Sequence, residues 1–194
     1  MEEHLTLLDR AIIFAAKAHA GAMRRDGHTP YILHCTEAAA IAATLTLDPE
    51  VLAAAVLHDV VEDTAVTQEA LETQFGSRVA GLVQAMSENK RPNLPPEATW
   101  LVRKEETIAA LEETQDLAVR QLTLADKLSN LRGIARDYEQ YGDDLWEFFH
   151  QKSRAKQSWY YYRLETALSP LADTDAYREF HRLRLRVFEH GEAF

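Results

Sequence analysis

The sequence is poor in cysteine, glycine, proline and positive charge. Cys35 is the only cysteine among 194 residues, which excludes an intramolecular disulfide and favours a reducing compartment, the cytoplasm. With only 7 glycines and 6 prolines, the chain has few residues that break helices. No apolar run approaches the ~20 residues of a membrane-spanning helix, so we expect no membrane contact.

The charge balance limits the partners of the protein. Acidic residues outnumber basic ones by 31 to 21, giving a formal net charge of −10. A chain this acidic is not expected to bind nucleic acid or anionic membranes over a broad surface. A small anionic substrate remains compatible with the sequence, because it needs only a local basic patch and a cation.

Alanine-rich segments with helical periodicity predict an all-α fold. We expect a core over residues 1–138 and additional C-terminal helices over 139–194 that pack on it. Besides a helix that starts at Asp48-Pro49-Glu50 and a helix that carries Leu122–Leu131, the predicted helices are Leu5–Ala20, Thr36–Thr46, Gln68–Phe75, Arg78–Met86, Pro96–Glu113, Asp143–Ala167 and Asp175–His190.

The segment Leu52–Thr64, LAAAVLHDVVEDT, is predicted to be the central helix. Its first six residues are all apolar and should be covered on nearly every side. Four ionisable residues follow within six positions and should share neighbouring helical surface: His58, Asp59, Glu62 and Asp63. Such a group is either an acidic helix end in solvent or, since the apolar run keeps it in the interior, a site for a divalent cation.

Basic and imidazole side chains occur in an irregular stretch between the first two predicted helices. Arg24 and Arg25 stand where loops tend to present binding groups, so they form either a surface pair or a phosphate-binding pair. His34 follows them, and one helix, a turn and an antiparallel helix would bring it towards His58. His19 lies on the inward face of the first helix, as a core residue or as a site residue.

A second polar cluster lies in Leu122–Leu131, LTLADKLSNL. Asp126 and Asn130 are four residues apart and share a helical face beside a leucine stripe. Taken alone, Asp126 would be either a structural ion-pair partner or a ligand. The aromatic residues of the C-terminal region favour packing on the core or a homodimer contact, with base stacking as an alternative.

The order His34, His58-Asp59, Asp126 resembles the HD-domain metal-dependent phosphohydrolases. The similarity covers about residues 5–135 and narrows to the hydrolase domain of the Rel/SpoT family and of the small alarmone hydrolases. The segments that carry it are GHTPYILH (27–34), VLHDVVEDT (56–64), QFG (74–76) and LADKLSNLR (124–132).

The resemblance implies an HD-domain helical bundle and a role for each matching residue. The four implied metal ligands are His34, His58, Asp59 and Asp126, and they would hold one divalent ion, most often Mn²⁺ in this family. Glu62 and Asp63 match the catalytic acidic pair that activates water. The residues that match substrate contacts are Arg24, Arg25, Tyr31, Lys127 and Asn130.

The implied reaction removes the 3′-diphosphate of guanosine tetra- or pentaphosphate (ppGpp or pppGpp) and gives GDP or GTP and pyrophosphate. Two imidazoles and two carboxylates suit hydrolytic metal chemistry on their own account. No histidine lies between His58 and Asp126, so we predict a single metal ion. The alternatives are another nucleotide phosphohydrolase, acting on deoxynucleotides or on the 2′-phosphate of NADPH, and a non-catalytic nucleotide sensor.

Overall fold

The computed structural model describes residues 4–91 and 93–189. Within these ranges the regular structure is helical, and a single isolated bridge between Met23 and Pro30 has β geometry. The predicted all-α fold is therefore confirmed. The α-helices are α1 (Leu7–Ala18), α2 (Ile32–Ala42), α3 (Pro49–Leu57), α4 (Val60–Asp63), α5 (Gln68–Phe75), α6 (Ser77–Met86), α7 (Pro96–Glu113), α8 (Leu117–Tyr141), α9 (Arg154–Ala167) and α10 (Asp175–Phe188).

The chain forms two compact units. The first unit comprises the residues up to Ser87 together with Asp116–Ser129, and the second comprises Glu88–Gln115 together with the residues from Asn130 onward. Helix α8 thus contributes residues to both units. The boundary at residue 138 between a core and C-terminal helices stays a prediction.

Helix α3 is the centre of the first unit. Asp48 accepts a hydrogen bond from the Glu50 amide at 3.0 Å, and Pro49 occupies the first turn, where its missing N–H costs nothing. The run from Ala53 to Leu57 is fully buried, and α3 packs against α1, α2 and α6. Its three alanines have small side chains that let neighbouring helices approach closely.

Helix α3 ends at Leu57, so the prediction of one continuous helix over Leu52–Thr64 is wrong. Asp59, with φ −99° and ψ −2°, separates α3 from the short helix α4. The carbonyl of Ala55 is the acceptor that a continuing helix would offer to Asp59, and it contacts Nδ1 of the His58 ring at 2.8 Å. The break therefore falls at the pair of residues on which the metal-site prediction depends.

Other predicted helix limits differ from the observed ones, and one cannot be compared. Helix α2 begins at Ile32 rather than Thr36, so His34 lies inside its first turn. The stretch predicted as one helix over Asp143–Ala167 contains a 3₁₀ helix, Gly142–Phe148, before α9. Helix α10 is described to Phe188, and the predicted end at His190 lies outside the described residues.

Aromatic rings form much of the interior of the second unit, where α9 packs against α7 and α10. The ring centroid of Phe188 lies 5.6 Å from that of Trp146 and 5.5 Å from that of Tyr161, both in stacked orientation. In the same unit, Glu88 forms ion pairs with Arg103 and Lys104 of α7. None of the helices in the described part of the chain has the length and apolar character needed to cross a membrane.

Candidate metal centre and substrate site

Two imidazoles and a carboxylate meet in the interior of the first unit. One ligand atom from each of His34, His58 and Asp126 lies within 4.8 Å of the others, and all three residues are buried. The two Nε2 atoms are 3.2 Å apart, and Asp126 Oδ1 lies 3.3 Å from Nε2 of His34 and 3.6 Å from that of His58. Helices α2 and α8 supply His34 and Asp126, and His58 directly follows the last residue of α3.

Asp59 lies against both imidazoles of this group. Its Oδ2 atom is 2.9 Å from Nε2 of His58 and 3.6 Å from Nε2 of His34. The side chain of Asp59 is 18% exposed, whereas those of the two histidines are 2% exposed. Asp59 therefore marks the side of the cluster that solvent or a substrate reaches.

The outer nitrogens of both imidazoles already have partners. Nδ1 of His58 is 2.8 Å from the carbonyl oxygen of Ala55, and Nδ1 of His34 is 2.8 Å from Oγ of Ser129. Each ring consequently turns Nε2 towards the carboxylates. Two inward nitrogens and two carboxylates form a donor set that fits a divalent cation, so these residues could hold a metal ion.

The charged groups of the cluster influence one another. Burial lowers the pKa of His34, although Asp126 partly opposes this effect. Burial also disfavours the charged form of His58, but the carboxylates of Asp59 and Asp126 outweigh it, so the pKa of His58 lies well above its ordinary value. Without a cation, the proton on His58 is the positive charge that the two carboxylates favour.

Both aspartates of the cluster are in the ionised form that binds metal. Burial works against the charge of Asp59, but the nearby His58 holds its pKa below the ordinary value. Burial likewise opposes ionisation of Asp126, and Lys127 and the two histidines bring its pKa well below the usual range. Nζ of Lys127 lies 2.7 Å from Oδ2 of Asp126, which leaves Oδ1 as the atom that faces the imidazoles.

Tyr31 joins the predicted metal ligands to the predicted catalytic pair. Its hydroxyl donates to Oδ2 of Asp59 at 2.6 Å and to Oδ2 of Asp63 at 3.1 Å. Burial, followed by the charges of Asp59 and Asp63, raises the pKa of Tyr31, so the phenol remains a donor. The sequence predicts Tyr31 as a substrate contact but gives no signal for these two hydrogen bonds.

The predicted catalytic residues lie on α4, directly after the break in the central segment. Glu62 is half-buried and Asp63 is exposed. The hydrogen bond from Tyr31 places Asp63 at the edge of the cluster, because the same hydroxyl also reaches Asp59. The structure thus brings Asp63 to the metal candidates, and Glu62 precedes it on the same short helix.

The predicted phosphate-binding arginines lie on a tight loop. Oδ1 of Asp26 accepts from the amides of His28 and Thr29, and Oδ2 accepts from the Thr29 hydroxyl. The Arg24 guanidinium lies 5.7 Å from the centre of the Tyr31 ring, a cation–π distance, and Arg25 is exposed. Arg24 therefore lies next to the cluster, because Tyr31, whose ring it contacts, also donates a hydrogen bond to Asp59.

The remaining predicted substrate contacts are on α8. Lys127 is paired with Asp126, as described above, and its side chain is 17% exposed. Asn130 belongs to the second unit, four residues after Asp126 on the same helix.

His19 and two further residues are part of this region, and of the three the sequence analysis raised only His19, as a core residue or a site residue. The His19 ring centroid is 5.0 Å from that of Tyr31, and its buried Nε2 has no hydrogen-bond partner within the described ranges. Burial lowers the pKa of His19 in spite of Asp59 and Asp63. Ser129 and Glu37 lie on the Nδ1 side of the His34 ring. No sequence pattern indicated either of these two residues.

Comparison with known proteins gives a consistent family. A family model described as HD domain matches residues 11–152. The chain is 37% identical over 138 residues to a guanosine-3′,5′-bis(diphosphate) 3′-pyrophosphohydrolase of Vibrio cholerae, covering 69% of this chain and 19% of the relative. It is also 37% identical over 134 residues to the bifunctional (p)ppGpp synthase/hydrolase SpoT of Escherichia coli, with the same coverage.

These relatives are much longer than this chain, which spans less than a fifth of their length. Two solved structures are similar over nearly their whole length. One is a metazoan orthologue of SpoT described as hydrolysing ppGpp, with 25% identity, a TM-score of 0.74 and coverage of 97% of this chain and 98% of that one. The other is a protein of Listeria monocytogenes, with 30% identity, a TM-score of 0.70 and coverage of 80% and 99%.

Proposed function

The chain belongs to the HD domain family, and from this premise we propose that its buried cluster binds one divalent metal ion and hydrolyses a phosphorylated nucleotide. The predicted HD-type helical fold is confirmed by the family match and by the similarity to the metazoan SpoT orthologue. The observation that carries the proposal is the convergence of two imidazole nitrogens and two carboxylates in the first unit.

We assign the metal to His34, His58, Asp59 and Asp126. Their nitrogen and oxygen donors suit Mn²⁺, Fe²⁺ or Zn²⁺, and the resemblance to Rel/SpoT hydrolase domains favours Mn²⁺. A single ion is proposed because the sequence has no further histidine between His58 and Asp126.

When bound, a divalent cation would lower the pKa of a water molecule and offset negative charge on phosphoryl oxygens. Glu62 and Asp63 are the proposed acceptors of the proton from the attacking water. Tyr31 holds Asp63 in place through its hydroxyl, and this contact supports the role of Asp63 near the reacting phosphorus.

The proposed substrate is ppGpp or pppGpp. The named activities of the similar proteins support it, as does Arg24 beside the Tyr31 ring, since guanidinium groups bind phosphate oxygens in bidentate fashion. Arg25, the next residue in the chain, is the second proposed phosphate contact. Lys127 and Asn130 are the other proposed contacts. Water would add to phosphorus and the bond to the ribose 3′-oxygen would break, giving GDP or GTP and pyrophosphate.

We further propose that the partner of the chain is this small nucleotide rather than nucleic acid, that the chain acts in the cytoplasm, and that it self-associates as a homodimer. Light scattering of the purified chain tests the last point: a mass near 44 kDa is expected, twice the 22.0 kDa of one chain.

A nucleotide panel tests the proposed activity. Purified protein loaded with Mn²⁺ is incubated with ppGpp, NADPH and deoxynucleotides, and both pyrophosphate and orthophosphate are measured. We expect pyrophosphate and GDP in equal amounts from ppGpp. Release of orthophosphate from NADPH with ppGpp left intact would reject the proposed substrate, and binding of ppGpp without any turnover would favour a sensor.

A further inference from the structure

A hydrogen-bonded chain of three side chains lies behind one of the proposed ligands. Nδ1 of His34 is 2.8 Å from Oγ of Ser129, and the Ser129 hydroxyl donates to Oε2 of Glu37 at 2.7 Å. His34 and Ser129 are buried, with exposed fractions of 4% and 2%. Resting on the metal site proposed above, we infer that Glu37 and Ser129 are positioning residues that fix the tautomer and orientation of His34 for metal binding.

The direction of the hydrogen bonds follows from the chemistry of the three groups. An ionised carboxylate only accepts, so the single hydroxyl proton of Ser129 goes to Glu37. Oγ of Ser129 can then only accept from His34, and Nδ1 of His34 must carry a proton. The neutral ring therefore has its lone pair on Nε2, the nitrogen that faces His58 and Asp126.

In the neutral form that binds a metal, the two imidazoles would reach the same tautomer by different means. Nδ1 of His58 contacts the carbonyl oxygen of Ala55, and a backbone carbonyl can only accept. Nδ1 of His34 contacts a hydroxyl, which could either donate or accept. Without Glu37, the Ser129 hydroxyl is able to donate to Nδ1 and leave the proton on Nε2, where it would block a metal ion. Glu37 removes this ambiguity.

We call the hydrogen-bonded chain His34–Ser129–Glu37 the relay. It connects two helices, each of which supplies a proposed metal ligand. Glu37 follows His34 by three residues on α2, and Ser129 follows Asp126 by three residues on α8, so each pair shares a helical face. The Ser129–Glu37 hydrogen bond joins residues 92 positions apart in the sequence. The relay thus holds α2 and α8 at the distance that brings His34 and Asp126 together.

Four variants of the full chain test the relay by Mn²⁺ titration calorimetry. Ser129→Ala and Glu37→Ala should each weaken Mn²⁺ binding by about 10- to 100-fold, the usual cost of removing an outer-shell partner. Glu37→Gln keeps an acceptor oxygen and should retain most of the affinity. The double variant Ser129→Ala/Glu37→Ala should bind no more weakly than Ser129→Ala alone, because the relay acts through one hydroxyl.

The tautomer of His34 is measured directly in the metal-free protein by long-range ¹H–¹⁵N NMR. The native chain should show a protonated Nδ1 and an unprotonated Nε2 at His34, and Ser129→Ala should show a mixture of forms. Thr123→Val is the matched control, because it removes another buried hydroxyl on α8, one that donates to the Val119 carbonyl at 2.8 Å. This control should keep the native affinity and tautomer.

Two results would overturn the inference. One is native Mn²⁺ affinity together with an unchanged His34 tautomer in Ser129→Ala. The other is full additivity of the losses in the double variant, which would mean that Glu37 and Ser129 act separately. If the variants show the expected Mn²⁺ affinities but the native chain cleaves no nucleotide, the proposed activity is rejected and the inference about Glu37 and Ser129 is not affected.

Discussion

Each of the two units holds a cluster in which a carboxylate meets an imidazole, and the two clusters are balanced in different ways. In the second unit, Glu165 accepts from Nδ1 of His181 at 2.6 Å and from Nε of Arg184, whose side chain is 6% exposed. In the first unit, Asp59 and Asp126 face two imidazoles whose inward nitrogens are 3.2 Å apart.

The difference shows what distinguishes a structural acidic cluster from a metal site. A guanidinium is charged at every accessible pH, so Arg184 completes the second cluster within the protein itself. In the first cluster the fixed cation, Lys127, contacts Oδ2 of Asp126 and leaves Oδ1 directed at the imidazoles. A buried carboxylate whose oxygen faces imidazole nitrogens is therefore a candidate metal ligand, whereas one paired with a guanidinium is balanced within the protein.

The largest effect is expected when a ligand of the first cluster is neutralised. Asp126→Asn removes the charge while keeping the shape, so Mn²⁺ affinity should fall by more than about 100-fold and pyrophosphate release should be lost with it. Metal analysis after dialysis and a ppGpp assay measure the two effects. Glu165→Gln is the control in the other cluster and should keep a full metal equivalent. If Asp126→Asn kept its metal, Asp126 would not be a ligand and the two clusters would not differ in metal binding.

The catalytic pair should separate turnover from metal binding. Glu62→Gln combined with Asp63→Asn should lower turnover by about 10²- to 10⁴-fold, since the water would lose its proton acceptor. Mn²⁺ affinity should stay near that of the native chain, because neither residue is a proposed ligand. Steady-state kinetics and calorimetry on the same preparation check this, and unchanged turnover would reject the assigned role.

Breaking the second cluster should affect stability and leave function intact. Arg184→Met leaves the carboxylate of Glu165 without its guanidinium, at a cost of about 3 kcal/mol in the free energy of unfolding. The double variant Glu165→Gln/Arg184→Met should recover part of this loss. Urea unfolding measures both, and a change in Mn²⁺ affinity on Arg184→Met would show that the clusters are not distinct in role.

Metal should stabilise the protein only through the first cluster. At a free Mn²⁺ concentration 100 times the dissociation constant, the free energy of unfolding should rise by about 2.7 kcal/mol, because the ion binds the folded chain alone. Thermal unfolding with and without a chelator measures the gain. The gain should persist in Arg184→Met and vanish in His58→Ala; a gain of equal size in both variants would count against the assignment.

The smallest effect concerns an ion pair within the second unit. Arg132 donates to both carboxylate oxygens of Glu179 at 2.7 Å, and this contact lowers the pKa of Glu179. A lowered folded-state pKa contributes stability above the unfolded-state pKa and loses it as pH falls through the folded-state value. Glu179→Gln should therefore cost about 0.5–1 kcal/mol at pH 7 and progressively less below about pH 4. Urea unfolding at several pH values tests this trend.

Local chemistry made part of the fold predictable. The limits of α5 and α7 coincide with the predicted ones, because Thr67 caps the first and Pro96 opens the second. The break after α3 was not predictable from periodicity, since it accompanies a contact between the His58 ring and a backbone carbonyl. The hydrophobic pattern predicts which face of a helix is buried, but it does not predict contacts between a side chain and a backbone carbonyl.

The candidate site likewise has residues that local sequence patterns predict and contacts that they do not. His58 and Asp59 were visible because they follow a buried apolar run, and Asp126 because it lies beside a leucine stripe. The contacts of Tyr31 with Asp59 and of Ser129 with Glu37 join residues 28 and 92 positions apart. No local pattern records contacts between segments so far apart along the chain, and only the packing of α2, α3 and α8 creates them.

The metal site proposed above requires that the imidazoles of His34, on α2, and His58, directly after α3, bind one and the same ion. Pulsed electron paramagnetic resonance of Mn²⁺ bound to ¹⁵N-histidine-labelled protein measures this directly. We expect one Mn²⁺ per chain with couplings to two histidine nitrogens, one of which disappears in His34→Ala. A bound Mn²⁺ that couples to no histidine nitrogen would contradict it.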